Sequence, residues 1–440
     1  MATFLITISS TAMAPAARAE IDVAADYQVL APVQAITAVD RAALQRRVNQ
    51  AWSAPGLGTR KAMAVDAFAS EPQPEVAYSA GEALMPASTT KLLTAAAVLK
   101  AMGPQARFTT SVTRKGRQIF LIGGGDPQLT SFPSPQQVNA NASLLRLARQ
   151  TRDALLTAGV TSVRLRYDDS LFAGPSTQPY WRDDFLSLGI VAPITALMAD
   201  GGRLNPPASP RSPDPSLTAA QTFAALLRQE GVEVQGEVVP QPADGLEIAS
   251  VESPPLADLV EHMLLVSDNT EAEVLAHHAG LELLGDATFA GGALATLQEL
   301  EGLGVDTRGL VLNDGSGLSR GNRISPLQLL AVLRSAIETD PDALWPIYTG
   351  LPVAGFDGSL AIRFSGPDSV WARGTVTGKT GTLTGTSALA GLAVDRDGQL
   401  LTYAVMTNDV NVFAASQDID AVLGQIAGCR CAGRATSSPE

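Results

Sequence analysis

Ser88 and Lys91 are a pair of residues whose types and spacing suit covalent chemistry. They lie three positions apart at the start of a segment with helical periodicity, so both side chains fall on one helical face. A lysine amine that burial and the helix dipole hold neutral can accept the serine proton, whereas arginine stays charged. A serine and a lysine in a first helical turn are also common capping residues. The pair alone leaves a nucleophile and a structural cap both open.

A second group, Ser267-Asp268-Asn269, lies between two segments with helical periodicity. Ser267 can relay a proton through its hydroxyl, and Asn269 can hydrogen-bond a substrate amide. A serine or aspartate here can equally be the N-cap of the following helix.

A third group, Lys379-Thr380-Gly381-Thr382, falls inside a strand pattern. Gly381 allows a ligand backbone to approach closely, and Lys379 offers a point charge for a carboxylate. Thr382 can donate its backbone N–H to an oxyanion. The alternative is an ordinary strand with a solvated lysine.

The order of the three groups favours chemistry over three separate structural explanations. Class A β-lactamases and penicillin-binding proteins carry the same three motifs: S-x-x-K at a helix start, S-D-N at a helix junction and K-T-G on a strand. Of the chain's five lysines, Lys91 alone follows a serine by three residues and Lys379 alone lies in K-T-G. We therefore interpret the three groups as one active site.

The elements that must position these groups come from both ends of the chain. Strand patterns at 62–69 and 76–79 precede the 88–102 helix, and further strand patterns cover 374–384, 387–395 and 399–408, followed by a helix at 412–427. This order predicts an α+β fold, an antiparallel sheet flanked by helices. The middle of the chain has strand and helix patterns of its own and reads as an inserted α/β lobe.

This reading divides the chain into five segments. They are a signal peptide at 1–19, the first part of the catalytic domain at 20–106, an inserted lobe at 107–250, the second part of the catalytic domain at 251–428, and a disordered tail at 429–440. The signal peptide rests on a short apolar stretch and on Ala17-Arg18-Ala19 before Glu20; because the n-region lacks the expected Lys or Arg, a disordered tail is the alternative. It predicts export to the periplasm or the extracellular cell envelope. No apolar run beyond it is long enough for a transmembrane anchor.

The composition narrows the classes of partner. The net charge of −13 argues against broad binding to nucleic acid or anionic membranes, which needs clustered basic residues. Two cysteines, Cys429 and Cys431, exclude a disulfide-stapled scaffold, and we regard both as peripheral. We predict no cofactor and no metal.

Two other patterns in the sequence resemble known catalytic or metal-binding motifs. Glu273 and His277 are spaced for one helix face and could hold a metal with His262, but no H-E-x-x-H or C-x-x-C spacing supports this, so we interpret the histidines as helix-surface residues. Gly317-Leu318-Ser319-Arg320-Gly321 matches a nucleophile elbow, yet that motif needs a later histidine and the chain has none.

With these motifs the chain resembles the penicillin-recognising serine D,D-peptidases, most closely the class C low-molecular-mass penicillin-binding proteins, which are D-alanyl-D-alanine carboxypeptidase/endopeptidases. The long gap between Ser88 and Ser267 favours that branch, as do three flanking strings: Gly124-Gly125-Asp126-Pro127, Ala272-Glu273 after the second motif, and the Asp314 to Arg320 string. The resemblance implies a five-stranded antiparallel sheet with an all-helical lobe, and an inserted lobe in the gap.

The resemblance also implies the reaction. Ser88 would be acylated by a peptidoglycan stem peptide ending in D-Ala-D-Ala, with Lys91 as general base and Ser267 as proton shuttle. Lys379 and Thr380 would bind the carboxylate, and β-lactam antibiotics would be trapped on Ser88. A β-lactamase, or a protein of the same fold that binds peptidoglycan or penicillin without turnover, is the alternative.

Three further residues are implied in side-chain recognition. Members that prefer diaminopimelate-containing peptides place a Trp and an Asp three residues apart, a spacing that Trp181 and Asp184 match. Arg320 lies in the matching D-G-S-G-L-S-R string. A surface turn is the alternative for Trp181 and Asp184.

Overall fold

A computed structural model describes residues 39–67, 74–133, 142–205 and 210–432, and all structural statements below concern these residues. The predicted signal peptide at 1–19 lies outside them. Among the described helices, none is both long and apolar enough to cross a membrane.

The described part of the chain contains eleven strands and eleven α-helices, with six of the helices following one another before the last three strands. The strands are β1 (Arg60–Ala67), β2 (Val76–Tyr78), β3 (Thr109–Lys115), β4 (Gln118–Ile122), β5 (Ser162–Asp168), β6 (Glu233–Val234), β7 (Val239–Pro240), β8 (Leu246–Glu252), β9 (Val376–Leu383), β10 (Thr386–Val394) and β11 (Leu400–Asn408). The helices are α1 (Arg41–Trp52), α2 (Lys91–Met102), α3 (Leu144–Thr157), α4 (Pro215–Gln229), α5 (Leu256–Val266), α6 (Asn269–Leu284), α7 (Phe289–Gly302), α8 (Pro326–Glu338), α9 (Pro341–Leu344), α10 (Pro346–Thr349) and α11 (Val412–Ala427).

Strands from both ends of the chain form a five-stranded sheet in the order β2-β1-β11-β10-β9. Every neighbouring pair is antiparallel. The predicted α+β fold with a five-stranded antiparallel sheet is therefore confirmed. In this sheet β9 is an edge strand whose first half pairs with residues 352–354, through the Ala354 N–H to the Val376 carbonyl and the Gly378 N–H to the Pro352 carbonyl. Among the described residues, no strand pairs with that side of β9 beyond Gly378.

The two faces of this sheet carry separate cores. Along β11, Ala404 and Met406 belong to the core beneath α2, α5, α6 and α8, whereas Tyr403 and Val405 belong to the core beneath α1 and α11. Alternate residues of a strand point to opposite faces, which is why one strand serves both cores. The helices on the α2 face make up the helical lobe.

A second sheet lies between α2 and α5 along the chain, in the order β6-β5-β4-β3-β8, with β7 beside β5. Its β3–β4 hairpin is antiparallel and its β4–β5 pair is parallel. Helices α3 and α4 share its apolar core. The exact bounds of an inserted lobe at 107–250 remain a prediction, as does the division at 20–106 and 251–428.

The start of the predicted tail at 429–440 is folded. Cys429 and Cys431 form a disulfide and are both 1% exposed. Ala432 pairs with Val39 in an isolated β-bridge. The prediction of a disordered tail is wrong for 429–432, because these residues bury apolar side chains against the core beneath α1 and α11. Residues 433–440 lie outside the described part.

Candidate active site

Ser88 lies in a tight 3-10 turn, Ala87–Thr90, that leads directly into α2 at Lys91. The predicted helix at 88–102 is therefore α-helical only from its fourth residue. The hydroxyls of Thr89 and Thr90 donate to the carbonyls of Pro86 and Ala87, and such local bonds compete with the α-helical pattern. Ala87 has a φ of +48°, a conformation that an L-residue rarely adopts. The turn leaves Ser88 half-buried while its neighbours are buried.

Two glycines bring neighbouring segments close to this turn. A Cβ on Gly381 of β9 would lie 2.4 Å from the Pro86 carbonyl oxygen. A Cβ on Gly317 would lie 1.9 Å from the Ala87 carbonyl oxygen. Only glycine permits such approaches, so β9 and the 314–320 loop enclose the Ser88 turn from two sides.

Lys91 has no exposed surface, and three oxygens surround its amine. Its Nζ lies 3.0 Å from Ser88 Oγ, 2.7 Å from Asn269 Oδ1 and 2.8 Å from the Ser316 carbonyl oxygen. The structure therefore brings the first two predicted motifs together at one nitrogen.

The identity of the three partners determines what the amine can do. Asn269 Oδ1 and the Ser316 carbonyl can only accept hydrogen bonds, so each takes one N–H of the amine. A neutral amine has two N–H groups and one lone pair. With both N–H groups used, the lone pair is directed at Ser88 Oγ.

The electrostatics favour that neutral state. Burial lowers the pKa of Lys91 to about 8, against the opposing effect of the Glu273, Asp268 and Asp314 carboxylates. A substantial fraction of the amine is thus neutral near pH 8.

The Ser267-Asp268-Asn269 segment joins α5 to α6 through a left-handed residue. Ser267 has a φ of +61°, and Asp268 Oδ1 accepts the Glu271 backbone N–H as the N-cap of α6. The predicted N-cap is therefore present in this segment, in the side chain of Asp268. Asn269 Nδ2 donates to the Ile190 carbonyl at 3.0 Å, which fixes the amide so that Oδ1 faces Lys91.

Lys379 connects the third motif to the second. It is fully buried, and its Nζ donates to Ser267 Oγ at 2.8 Å and to the Thr380 carbonyl at 3.0 Å. Burial, assisted by the charge of Lys91, holds the pKa of Lys379 well below its usual range. The hydroxyl of Thr380 donates to Ser359 Oγ at 2.8 Å, whereas Thr382 is exposed on the same strand.

Glu273 is a member of the site to which the sequence assigned no role in the reaction, only a place in a flanking string and in a rejected metal option. Its carboxylate is completely buried and accepts the backbone N–H groups of Gly315 at 2.9 Å and Ser316 at 2.8 Å. Since the Ser316 carbonyl accepts from Lys91, Glu273 fixes one of the two acceptors that orient the amine. Burial and the neighbouring Asp314 raise the pKa of Glu273, while the hydrogen bonds from Gly315 and Ser316 favour its ionised form.

Asp314 fixes the rest of the 314–320 loop and also contacts Trp181. Its carboxylate accepts the backbone N–H groups of Gly317 at 3.0 Å and Ser319 at 2.6 Å. The Trp181 indole N–H donates to the same carboxylate at 2.9 Å. The Asp314 to Arg320 string was noted in the sequence, but its role in holding a loop depends on contacts between distant segments.

The three predicted side-chain recognition residues lie in different surroundings. Trp181 is 8% exposed and packs in an apolar cluster with Phe289 and Leu318, against which Leu383 also packs. Asp184 forms an ion pair with Arg182. Arg320 is exposed, and its guanidinium donates to the Thr384 carbonyl at 3.0 Å, just beyond the third motif.

The helix-surface prediction holds for His262, which is exposed on α5, but is wrong for the other two histidines. His277 and His278 are buried rather than on a helix surface, and burial lowers the pKa of each to about 4. His262 pairs with Glu271 at 2.7 Å. In the described part of the chain, no group of three or more His, Cys, Asp or Glu residues is arranged to hold a metal ion.

Comparison with known proteins gives a consistent result. The model of the D-Ala-D-Ala carboxypeptidase 3 (S13) family matches residues 44–213 and 205–427. The chain is 36% identical over 359 residues to carboxypeptidase DacB of Mycolicibacterium smegmatis, covering 79% of this chain and 76% of that one. It is 30% identical to the D-alanyl-D-alanine carboxypeptidase of Actinomadura sp., covering 74% of each.

A solved structure shares the fold. Penicillin binding protein 4 from Haemophilus influenzae superposes with a TM-score of 0.71 at 22% identity, covering 88% of this chain and 98% of that chain.

Proposed function

Because the chain belongs to the D-Ala-D-Ala carboxypeptidase 3 (S13) family, and is a serine D-Ala-D-Ala carboxypeptidase, we propose that Ser88 is its nucleophile and Lys91 its general base. The observation that carries this assignment is the set of partners around Lys91 Nζ. Two acceptors take the N–H groups of the neutral amine, and the third partner is Ser88 Oγ at 3.0 Å. The lone pair can then take the Ser88 proton as Oγ attacks.

In the first half-reaction, Ser88 Oγ bonds to the carbonyl carbon of the penultimate D-alanine and its proton moves to Lys91. The C–N bond then breaks. The proton that Lys91 accepted then returns through the hydroxyl of Ser267 to the departing amine of the last D-alanine, which leaves Lys91 neutral again. Lys379 Nζ donates to Ser267 Oγ at 2.8 Å, so the Ser267 proton itself stays available for the leaving nitrogen.

The second half-reaction regenerates the enzyme. Water attacks the ester carbon and its proton passes to Lys91, which gives a proton to Ser88 Oγ as the C–O bond breaks. A β-lactam follows the first half-reaction only, because its leaving nitrogen stays tethered to the acyl group. We therefore propose that β-lactams acylate Ser88 and are released slowly.

The third motif supplies the binding site for the substrate backbone. Lys379 and Thr380 would hold the terminal carboxylate, and Thr382 would contribute its backbone N–H to the oxyanion. Asn269 would hydrogen-bond the substrate amide. The proposed carboxylate site also includes Ser359, whose Oγ accepts a hydrogen bond from the Thr380 hydroxyl at 2.8 Å.

The peptide substrate is a peptidoglycan stem peptide, and Trp181, Asp184 and Arg320 would recognise its side chain. Arg320 is supported by its contact with Thr384, next to the third motif. Trp181 would act as part of the packed wall under Leu383 rather than as an open stacking face. The substrate implies that the protein is exported to the cell envelope.

Release of D-alanine tests this proposal. The protein is incubated with a soluble peptide ending in D-Ala-D-Ala, and free D-alanine is measured. Native protein should release it, while Ser88→Ala and Lys91→Arg should each be at least about a thousandfold slower. Folding of each variant is checked by its unfolding midpoint. Folded variants that retain the native rate would overturn the assignment.

A further inference from the structure

A basic cavity of about 580 Å³ lies at the ends of α1 and α11, beside the turn that joins β10 to β11. Its size is in the range of small-ligand sites. Ten residues line it: Ala43, Arg46, Arg47, Gln50, Arg396, Gln425, Gly428, Cys429, Arg430 and Cys431. We call it the arginine cavity.

The charge of this cavity is opposite to that of the whole protein. Four of its lining residues are arginines and none is acidic, although the chain carries a net charge of −13. None of the four is in an ion pair with a described residue, whereas other arginines such as Arg149 and Arg363 are paired with carboxylates. Four guanidinium groups without counterions form a site for an anion.

The framework around the cavity is fixed. Arg47 donates to the Gly428 carbonyl at 2.6 Å. The Cys431 carbonyl accepts the Asp40 backbone N–H at 2.7 Å, and the disulfide between Cys429 and Cys431 is buried. The backbone of the 428–431 segment and the side chain of Arg47 are thus held in place before any ligand binds, which reduces the entropic cost of binding.

An aromatic ring borders the cavity. The guanidinium of Arg396 lies 4.3 Å from the centre of the Trp371 ring, and Trp371 also approaches Gly428. Despite these contacts, Trp371 is 54% exposed. An exposed indole beside anion-binding groups offers an apolar surface for the C–H face of a sugar.

The arginine cavity is distinct from the active site. Ser387 lies opposite Thr382 near the start of β10, while Arg396 follows the other end of that strand. A nine-residue strand spans roughly 26 Å at about 3.3 Å per residue.

We propose that the arginine cavity binds an acidic polysaccharide, with the arginines on its phosphate or carboxylate groups and Trp371 against a sugar. Guanidinium groups bind both kinds of anion through paired N–H donors, so the shared chemistry is an anionic saccharide. Such a contact holds the enzyme on an anionic polymer despite its acidic surface. This inference is independent of the proposed function.

The test measures binding of the full chain to immobilised polygalacturonate, to a phosphomannan and to neutral mannan. Native protein should bind one or both acidic polymers in preference to mannan, and the polymer bound identifies the anion. Affinity should fall as the salt concentration rises, since binding releases counterions.

Two double variants remove the same charge from different places. Arg46→Gln/Arg430→Gln should weaken binding at least about tenfold, the usual scale for losing two charge contacts. The control Arg117→Gln/Arg164→Gln removes two charges from a smaller basic cavity on the second sheet, where Lys115 is already paired with Asp244. Its affinity for the polymer should stay within about twofold of native. Trp371→Ala should also weaken binding.

Three results would overturn the proposal: no preference for an acidic polymer, equal losses in both double variants, or binding to anionic lipid vesicles but to neither polymer. Failure of the proposed function is separate, because Ser88→Ala should bind the polymer like native protein. In turn, Arg46→Gln/Arg430→Gln should release D-alanine from a soluble peptide at the native rate.

Discussion

At the scale of single residues, the reactivity of Ser88 depends on which groups around the Lys91 amine accept its hydrogen bonds. Asn269 Oδ1 and the Ser316 carbonyl each require one N–H, and Ser88 Oγ is the remaining partner. Arginine in place of Lys91 could not be deprotonated, so the residue type is dictated by the chemistry. The sequence predicted both residues from their spacing. It could not predict Glu273 or the Ser316 carbonyl, because these reach Lys91 only through folding of distant segments.

The pH dependence of acylation follows from Lys91. Its pKa of about 8 means that the reactive neutral amine is lost as the pH falls. Below pH 8, the rate of acylation by a penicillin should drop about tenfold per pH unit, with a plateau above. Stopped-flow labelling across pH 6 to 10 measures this. A rate that is flat over that range, or still rising at pH 10, would contradict the role of Lys91.

Glu273→Gln tests the residue that holds the Ser316 backbone. The amide can accept only one of the two backbone N–H groups, so the unfolding free energy should fall by about 1–3 kcal/mol. The charge of Glu273 raises the pKa of Lys91, so its loss should move the acid limb of the acylation profile to lower pH. The acylation rate of the variant, measured as a function of pH, gives both the position of the acid limb and the height of the plateau.

Glu282→Gln, on the exposed side of the same helix, is the matched control and should leave stability and the limb unchanged. A Glu273→Gln limb at the native position would show that Glu273 acts on folding alone.

At the scale of elements, the site is assembled by segments that meet at the Ser88 turn: α2, the α5–α6 junction, β9 and the 314–320 loop. Many of the strands and helices were predictable from alternation and helical periodicity. Their order predicted an antiparallel sheet, and the resemblance to the D,D-peptidases implied its five strands. The 3-10 turn at Ala87–Thr90 was not, because it depends on threonine hydroxyls bonding to the preceding carbonyls. The role of the 314–320 loop also escaped prediction, since it depends on contacts of this loop with Glu273 and Trp181, which are distant in the sequence.

Close packing of the 314–320 loop on the Ser88 turn predicts the effect of Gly317→Ala. Gly317 has a φ of +85°, and its added Cβ would lie 1.9 Å from the Ala87 carbonyl oxygen. The variant should lose about 2 kcal/mol or more of unfolding free energy and acylate at least about tenfold more slowly. Urea denaturation and penicillin labelling measure the two effects.

Gly304→Ala separates the clash from the backbone strain. Gly304 has a φ of +80°, but a Cβ there would meet nothing within 4 Å. It should cost only about 1 kcal/mol and leave acylation unchanged. Equal losses of unfolding free energy and of acylation rate in Gly317→Ala and Gly304→Ala would mean that the 314–320 loop does not pack closely on the Ser88 turn.

At the scale of the whole molecule, stability is linked to pH by carboxyl groups that the fold buries. Burial raises the pKa of Asp126 to about 7, and its Oδ2 has no hydrogen-bond partner. The native state therefore holds a proton on Asp126 between about pH 4 and 7 that the unfolded state has lost. Its contribution to stability falls as the pH rises through that window. His277 and His278, with pKa values lowered to about 4, act in the opposite direction up to pH 6.5.

Asp126→Asn isolates the carboxyl contribution. Asparagine keeps the oxygen that accepts the Gln128 N–H but cannot ionise. The difference in unfolding free energy between variant and parent should therefore shift in favour of the variant from pH 4 to pH 7, by at least about 1 kcal/mol. Urea titrations at the two pH values measure it. The exposed Asp183→Asn should show no such shift, and a pH-independent difference for Asp126→Asn would refute the linkage.

The central claim, that Ser88 forms the acyl-enzyme, is tested most directly by intact mass and peptide mapping after penicillin treatment. We predict one added penicillin per chain, located on the peptide that contains Ser88, and no labelling of Ser88→Ala. Label on any other residue, or a folded Ser88→Ala variant that still gains the mass of penicillin, would contradict the account.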